Sequence, residues 1–295
     1  MRGRESYEEA LLRGGGILAT VKATRAASEV ELLRGGTRVL DELAALGVTT
    51  VECKSGYGLD LSTELALLRV YRRLAKEHQV RVVTTVLGAH VVRPEYAHDR
   101  AGYVELVTQE LLPAAAREGL VDCCDVFVDR SAFTIAEARQ ILETARSLKL
   151  ARKVHADQLS SGGGAELAAE AGALSADHLE CVSADGIQAL AEAGVVAVSL
   201  PLATLYLGRS PMPARRLIEA GVPVAVVTDF NPDSAPSFHL PLAMLLACVL
   251  QRMSPAEALK GATLYAARAL GIDARCGSLE VGKAADFAVI EARPT

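Results

Sequence analysis

Seven short apolar runs set the main constraint on this chain. They lie at 48–56, 80–90, 121–129, 151–158, 174–180, 195–201 and 222–230. Alanine- and leucine-rich segments at helical spacing separate them, such as 62–78, 134–149, 163–172 and 183–194. Continuous apolar strands alternating with helices predict a parallel sheet covered on both faces. Two architectures satisfy that rule, an open doubly wound sheet and a closed (β/α)8 barrel. The polar residues separate them. Lys54 and Tyr57, His90, Asp129, His155 and Gln158, Asp177 and His178, and Asp229 and Asn231 each fall at the C-terminal end of a different run. Sites assembled from many strand ends are the barrel arrangement, whereas an open sheet gathers them at one switch point. The expected fold is therefore a TIM-type barrel.

A closed barrel of this kind has eight strands, and seven are legible. After the last come two helical segments, 238–253 and 254–271, so the missing strand belongs before residue 48. Residues 1–47 read as helix and loop, which places the first strand ahead of Met1. The tail "GSLEVGKAADFAVI" (277–290) alternates apolar and polar residues and predicts two short strands of a small β domain. The expected division is 1–274 for an N-terminally incomplete barrel and 275–295 for part of that β unit.

Composition excludes several classes. At 295 residues and 51% hydrophobic content the chain can bury a large core, and its net charge of -5 with no basic stripe argues against nucleic acid. The longest apolar run, at 240–250, is too short to span a membrane. The N-terminus has no apolar secretory segment. Six cysteines without a CxxC pair read as reduced thiols of a cytoplasmic protein.

Three of the six histidines, His90, His155 and His178, fall at strand ends together with Asp229. Imidazoles and a carboxylate at one barrel mouth suit a divalent ion of the zinc or iron class. Such an ion lowers the pKa of a bound water and polarises a carbonyl, and a nearby aspartate can carry the proton. "GSLEVGK" at 277–283 matches the phosphate-loop spacing, but Ala284 stands where Ser or Thr is required and no helix follows.

The motifs "GGGILATVKATRAAS", "ECKSGYGL", "LGAH", "KVHADQLSSGGGAELA", "SADHLE", "TDFNPDSAPSFHLPLAM" and "GATLYAARALG", in this order along nearly the whole chain, resemble the imidazolonepropionase family of the amidohydrolase superfamily. The resemblance implies metal-dependent hydrolysis of the cyclic amide of 4-imidazolone-5-propanoate to N-formimidoyl-L-glutamate in histidine degradation. It implies one zinc or iron ion held by His155 and Asp229, with Asp229 also shuttling the proton and His178 orienting the water or polarising the carbonyl. Tyr57, His90 and Gln158 would contact the substrate; Asn231, Asp233 and Ser234 would hold its carboxylate; Tyr7 would line the pocket. It further implies a cytoplasmic homodimer whose other partner is this small molecule. The sequence departs from the family in lacking the H-x-H pair and the Arg expected with the first strand, and in carrying Asp233 where the family usually has Gly. Two alternatives stand beside this reading. One is an amidohydrolase acting on another cyclic amide or aminated ring; a subtype with a bridging modified lysine is disfavoured because "VDCCDVFVD" has no lysine. The other is an inactive fragment with two unpaired sheet edges.

Overall fold

The computed structural model describes residues 16–130 and 132–290. Seven strands form one sheet: β1 (Thr50–Lys54), β2 (Arg81–Ala89), β3 (Cys123–Val128), β4 (Ala151–Ala156), β5 (Ser175–His178), β6 (Val196–Ser199) and β7 (Val224–Val226). All neighbours are parallel and the spatial order follows the chain from β1 to β7. A strictly sequential order has no point where the winding reverses, which rules out the doubly wound sheet. The result is a curled α/β sheet, a barrel lacking one strand among the described residues. Each expected run contains one strand, shorter by two to six residues because the ends of the run turn into loops.

Strand periodicity assigns the two faces different work. Val126, Val154, Ala176 and Ala197 are buried in the main core with Leu111, Ile141, Leu167 and Leu190 from the flanking helical segments. The alternate residues of β1, β3, β4 and β5 are polar: Glu52 and Lys54 are partly buried, and Asp125, Lys153 and His155, and Ser175 and Asp177 are buried. One edge of the sheet is closed by backbone contact. Gly261, in a π-helical turn spanning Gly261–Tyr265, lies so close to β7 that a Cβ there would sit 2.9 Å from the Val224 carbonyl oxygen.

The helix Ile135–Ser147 shows how local sequence sets a boundary. Thr134 accepts from the Glu137 amide while the Glu137 carboxylate accepts from the Thr134 amide, a complete capping box. Arg100 clamps the same carboxylate at 2.7 Å and donates to the Ala132 carbonyl at 2.8 Å. Thr134→Ala should cost about 1 kcal/mol, read as a lower urea midpoint with an unchanged slope. An unchanged midpoint would mean that Arg100 alone holds this helix start.

The tail corrects one expectation. Among the described residues, 277–290 forms no strand, although its alternation predicts two. Alternation marks a residue pattern that suits a strand, but a strand forms only where an edge offers hydrogen bonds. The segment is instead fixed by side chains and turns: Arg81 pairs with Asp286 at 2.6 Å, and the Ala284 amide donates to Arg275. Leu279, Val281, Phe287, Val289 and Ile290 remain exposed.

Candidate active site at the mouth of the sheet

One cavity of ≈ 930 Å³ runs along the inside of the sheet, from Thr49 and Thr50 at the start of β1 to the C-terminal strand ends, and residues of the 277–290 tail also line it. His90 follows β2, His155 lies in β4 and His178 closes β5, so three imidazoles line successive parts of the wall. The His155 and His178 rings are 5.1 Å apart, His90 and His155 are 6.2 Å apart, and Tyr57 meets His90 edge-on at 5.6 Å. Phe127 of β3 packs against both His90 and His155. Gln158, Asp229, Asn231, Asp233 and Ser234 line the same cavity. All the site residues expected from sequence thus come together, except Tyr7, which lies outside the described residues.

Backbone strain concentrates here. Seven non-glycine residues among those described have positive φ, and five of them are Leu59, Asp157, His178, Leu179 and Asp229. Such conformations cost about 1–3 kcal/mol each and persist where the surroundings enforce them. At Asp229 the enforcement is visible: the Asn231 side-chain amide donates to the Asp229 carbonyl at 2.7 Å. Its oxygen accepts from the amides of Asp233 and Ser234 at 2.9 and 2.7 Å. Asn231 therefore spends its amide shaping the turn that presents Asp229. Asp233 accepts from the Thr20 hydroxyl at 3.1 Å, tying the helix Ile17–Ala26 to this turn.

Three other carboxylates shape the rim. Glu64 accepts from the amides of Gly56, Gly58 and Leu59 at 2.7–3.1 Å and pins the loop that carries Tyr57. Asp129 accepts from Leu159 and Arg130, and Asp157 from Gly162, Gly164 and Ala165. Sequence reading placed Asp129 at a strand end without this role and missed Glu64, whose position inside a helical run looks like a solvated face. Gly56 is required in the same loop: it has φ +97°, and a Cβ there would collide with the Leu87 carbonyl oxygen.

The electrostatics divide the groups. Burial, reinforced by His155, pushes His90 down to about 3, so it is a neutral imidazole near pH 7. Burial raises the Asp229 carboxyl above its usual range, although His178 and His155 oppose this. Burial works against a charged His178, but Glu180, with Oε2 3.8 Å from His178 Nδ1, outweighs it and raises the imidazole above its ordinary value. Glu180 was not singled out from the sequence; its partner Thr204, which donates to it at 2.8 Å, arrives from the next βα unit. Glu180→Gln should lower the His178 titration midpoint in the metal-free chain, because burial is then less opposed. An NMR titration that leaves the midpoint unmoved would remove Glu180 from this account.

A layer beneath, burial tends to raise Asp125 and Asp177, but basic neighbours prevail. His155 and Lys54 hold Asp125 well below the carboxylate range, and Lys54 and Lys153 bring Asp177 to about 2. His155, His178 and Asp229, imidazole and carboxylate donors of the kind a divalent ion takes, line one cavity, and His178 Nδ1 is buried without a hydrogen-bond partner.

Comparison with known proteins agrees with this geometry. Residues 113–295 match the family model described as "Amidohydrolase family". The chain is 51% identical over 290 residues to imidazolonepropionase from Symbiobacterium thermophilum, covering 98% of this chain and 68% of that protein. It is 50% identical over 287 residues to imidazolonepropionase from Geobacillus thermodenitrificans, covering 97% and 68%. In fold it resembles a zinc-bound adenosine deaminase from Xanthomonas campestris (TM-score 0.71, 21% identity, 95% of this chain and 65% of that one). It also resembles a 5-methylcytosine deaminase from Klebsiella pneumoniae (TM-score 0.73, 15% identity, 92% and 72%). The mouth of imidazoles and Asp229, together with half-identity along nearly its whole length, makes this chain a member of the imidazolonepropionase family of metal-dependent amidohydrolases.

Proposed function

We propose that the chain opens the ring of 4-imidazolone-5-propanoate by hydrolysing its cyclic amide, giving N-formimidoyl-L-glutamate in histidine degradation. The observation that carries this is the convergence of His155, His178 and Asp229 in one cavity of a chain 51% identical to an imidazolonepropionase. His155 and Asp229 would hold one zinc or iron ion, which when bound supplies an activated water and polarises the carbonyl. Asp229 would take the proton from the attacking water and return it to the leaving ring nitrogen. His178 would donate a hydrogen bond to the carbonyl oxygen as charge develops there. Tyr57, neutral His90 and Gln158 contact the ring. Ser234, Asp233 and the turn built by Asn231 face the propionate end, with Tyr7 as a further expected contact.

We also assign 1–274 to the barrel and 275–295 to a separate small unit; no described residue of 277–290 joins the strand ladder of the sheet. A cytoplasmic homodimer fits six unpaired cysteines and the exposed apolar face of Leu242, Leu245 and Val249. No described helix is long and apolar enough to cross a membrane.

Asp233 favours keeping a second reading, an amidohydrolase of another ring, because a carboxylate beside the substrate's own carboxylate is repulsive. The test is metal content together with turnover on imidazolone propionate and on other cyclic amides and aminated rings. Ring opening of imidazolone propionate by a metal-containing chain supports the proposal. Turnover of a different ring alone supports the second reading, and neither metal nor turnover sinks both.

A further inference from the structure

Beneath the imidazoles, a cluster inside the sheet has a use that the hydrolytic reading leaves open. Asp125 of β3, His155 of β4 and Asp177 of β5 each offer one ligand atom, all within 4.8 Å of one another, a span that suits a divalent cation. Asp125 is 1% exposed and Asp177 3%. Asp125 Oδ1 has no hydrogen-bond partner although it is buried. His155 Nδ1 lies 2.9 Å from Asp125 Oδ2 without the alignment of a hydrogen bond, and 3.9 Å from Asp177 Oδ2. The donors of a metal site are therefore present, with a spare oxygen.

Lys54 stands among them. Its Nζ is 2.6 Å from Asp125 Oδ2, 3.1 Å from Asp177 Oδ2 and 3.1 Å from Glu52 Oε1. These are the same two aspartate oxygens that lie closest to His155 Nδ1. Two enclosed carboxylates need a compensating charge, and the ammonium supplies it from the chain itself. Lys153, which also acts on Asp177, makes its direct contacts elsewhere: it pairs with Glu52 Oε2 at 3.1 Å and donates to the Ala269 carbonyl at 3.2 Å.

We propose that Lys54 is a built-in counter-cation that keeps a latent divalent site, Asp125–His155–Asp177, closed to metal. By holding Asp125 beside Nδ1 of His155, it is also a positioning residue that leaves Nε2 as the nitrogen His155 offers at the mouth. That second clause rests on the proposed role of His155; the first does not. A barrel with two adjacent donor sets risks loading the wrong one, and a tethered ammonium closes the lower set by occupying it.

The experiment is a zinc titration of the full chain against a chromophoric chelator, with Lys54→Met and Lys54→Arg beside the wild type. Lys54→Met is expected to bind one equivalent of zinc more than the wild type, and Lys54→Arg no more than the wild type. Adding Asp177→Asn to Lys54→Met should remove the extra equivalent. Nitrogen-15 NMR of His155 should show a protonated Nδ1 in the wild type and its loss in zinc-loaded Lys54→Met. If Lys54→Met is unfolded without metal, zinc should restore a cooperative melt. Equal zinc stoichiometry in Lys54→Met and wild type, or an unfolded variant that zinc does not rescue, overturns the proposal. No substrate enters these readouts, so failure of the hydrolytic reading appears separately, as absent turnover by the wild type.

Discussion

Glu64→Ala is expected to destabilise the chain by about 4 kcal/mol and to lower its melting temperature by about 10 °C. The cause is backbone rather than packing. The Glu64 carboxylate is fully enclosed and accepts from three amides, those of Gly56, Gly58 and Leu59. Removing it orphans three donors in a loop whose backbone is already unusual, with φ +97° at Gly56 and +58° at Leu59. Each unpaired buried donor costs about 1–3 kcal/mol, and a new cavity adds to this. Glu64→Gln should fall between wild type and Ala, because one carbonyl oxygen can still accept while its NH₂ group meets other donors. The same loop carries Tyr57 against His90, so looser substrate binding should accompany the lost stability. Thermal melts with amide exchange at Gly56 and Gly58 read both effects. A melt within 2–3 °C of wild type, with exchange unchanged, would show that water or the remaining loop contacts satisfy these amides.

Glu64 also shows where reading the sequence stops. Strand positions were legible because burial on both sides of a parallel sheet leaves continuous apolar runs, and all seven runs contain a strand. The chemical groups were legible because they sit toward the C-terminal ends of those runs: His90, His155, His178 and Asp229 all line one cavity. A carboxylate inside a helix is different. In "STELALL" the helical period allows Glu64 to be a solvated residue, and only the packing of a loop five to eight residues earlier makes it an internal acceptor. Lys153 and Asp125 escaped notice for a related reason. Period-two alternation says that they face inward, but charged residues there become sensible only when Lys54, from another strand, closes the balance. Glu180 needs Thr204 from the following unit. The C-terminal tail fails in the opposite sense: its alternation is strand-like, yet no edge pairs with it. Local pattern thus predicted what each residue prefers, and the misses lie where a partner far along the chain decides the outcome.

Asp229→Asn should cut hydrolysis by about 10²–10⁴-fold while leaving the metal-free fold intact or firmer near neutral pH. The two halves share one cause. Asp229 is presented into the cavity on a left-handed backbone, φ +53°, held by the Asn231 amide. Asparagine is among the residues that tolerate this conformation, so the turn should survive. Burial raises the Asp229 carboxyl above its ordinary value. A carboxyl whose pKa is higher folded than unfolded makes the folded state lose stability as pH rises from the unfolded value, near 3.9, through the raised folded value. Above that window the penalty is complete. Asparagine carries no charge and escapes it. The variant and the wild type should therefore melt alike near pH 3, and the metal-free variant should melt higher at pH 7. Activity should show the reverse order, since the amide neither accepts the water's proton nor supplies an anionic ligand. Such an exchange of stability for function is expected where a group is held against its own solvation preference. A variant that hydrolyses at wild-type rate would remove Asp229 as the proton carrier. One that melts lower than wild type at pH 7 would mean that the attraction of His178 and His155 exceeds the burial penalty.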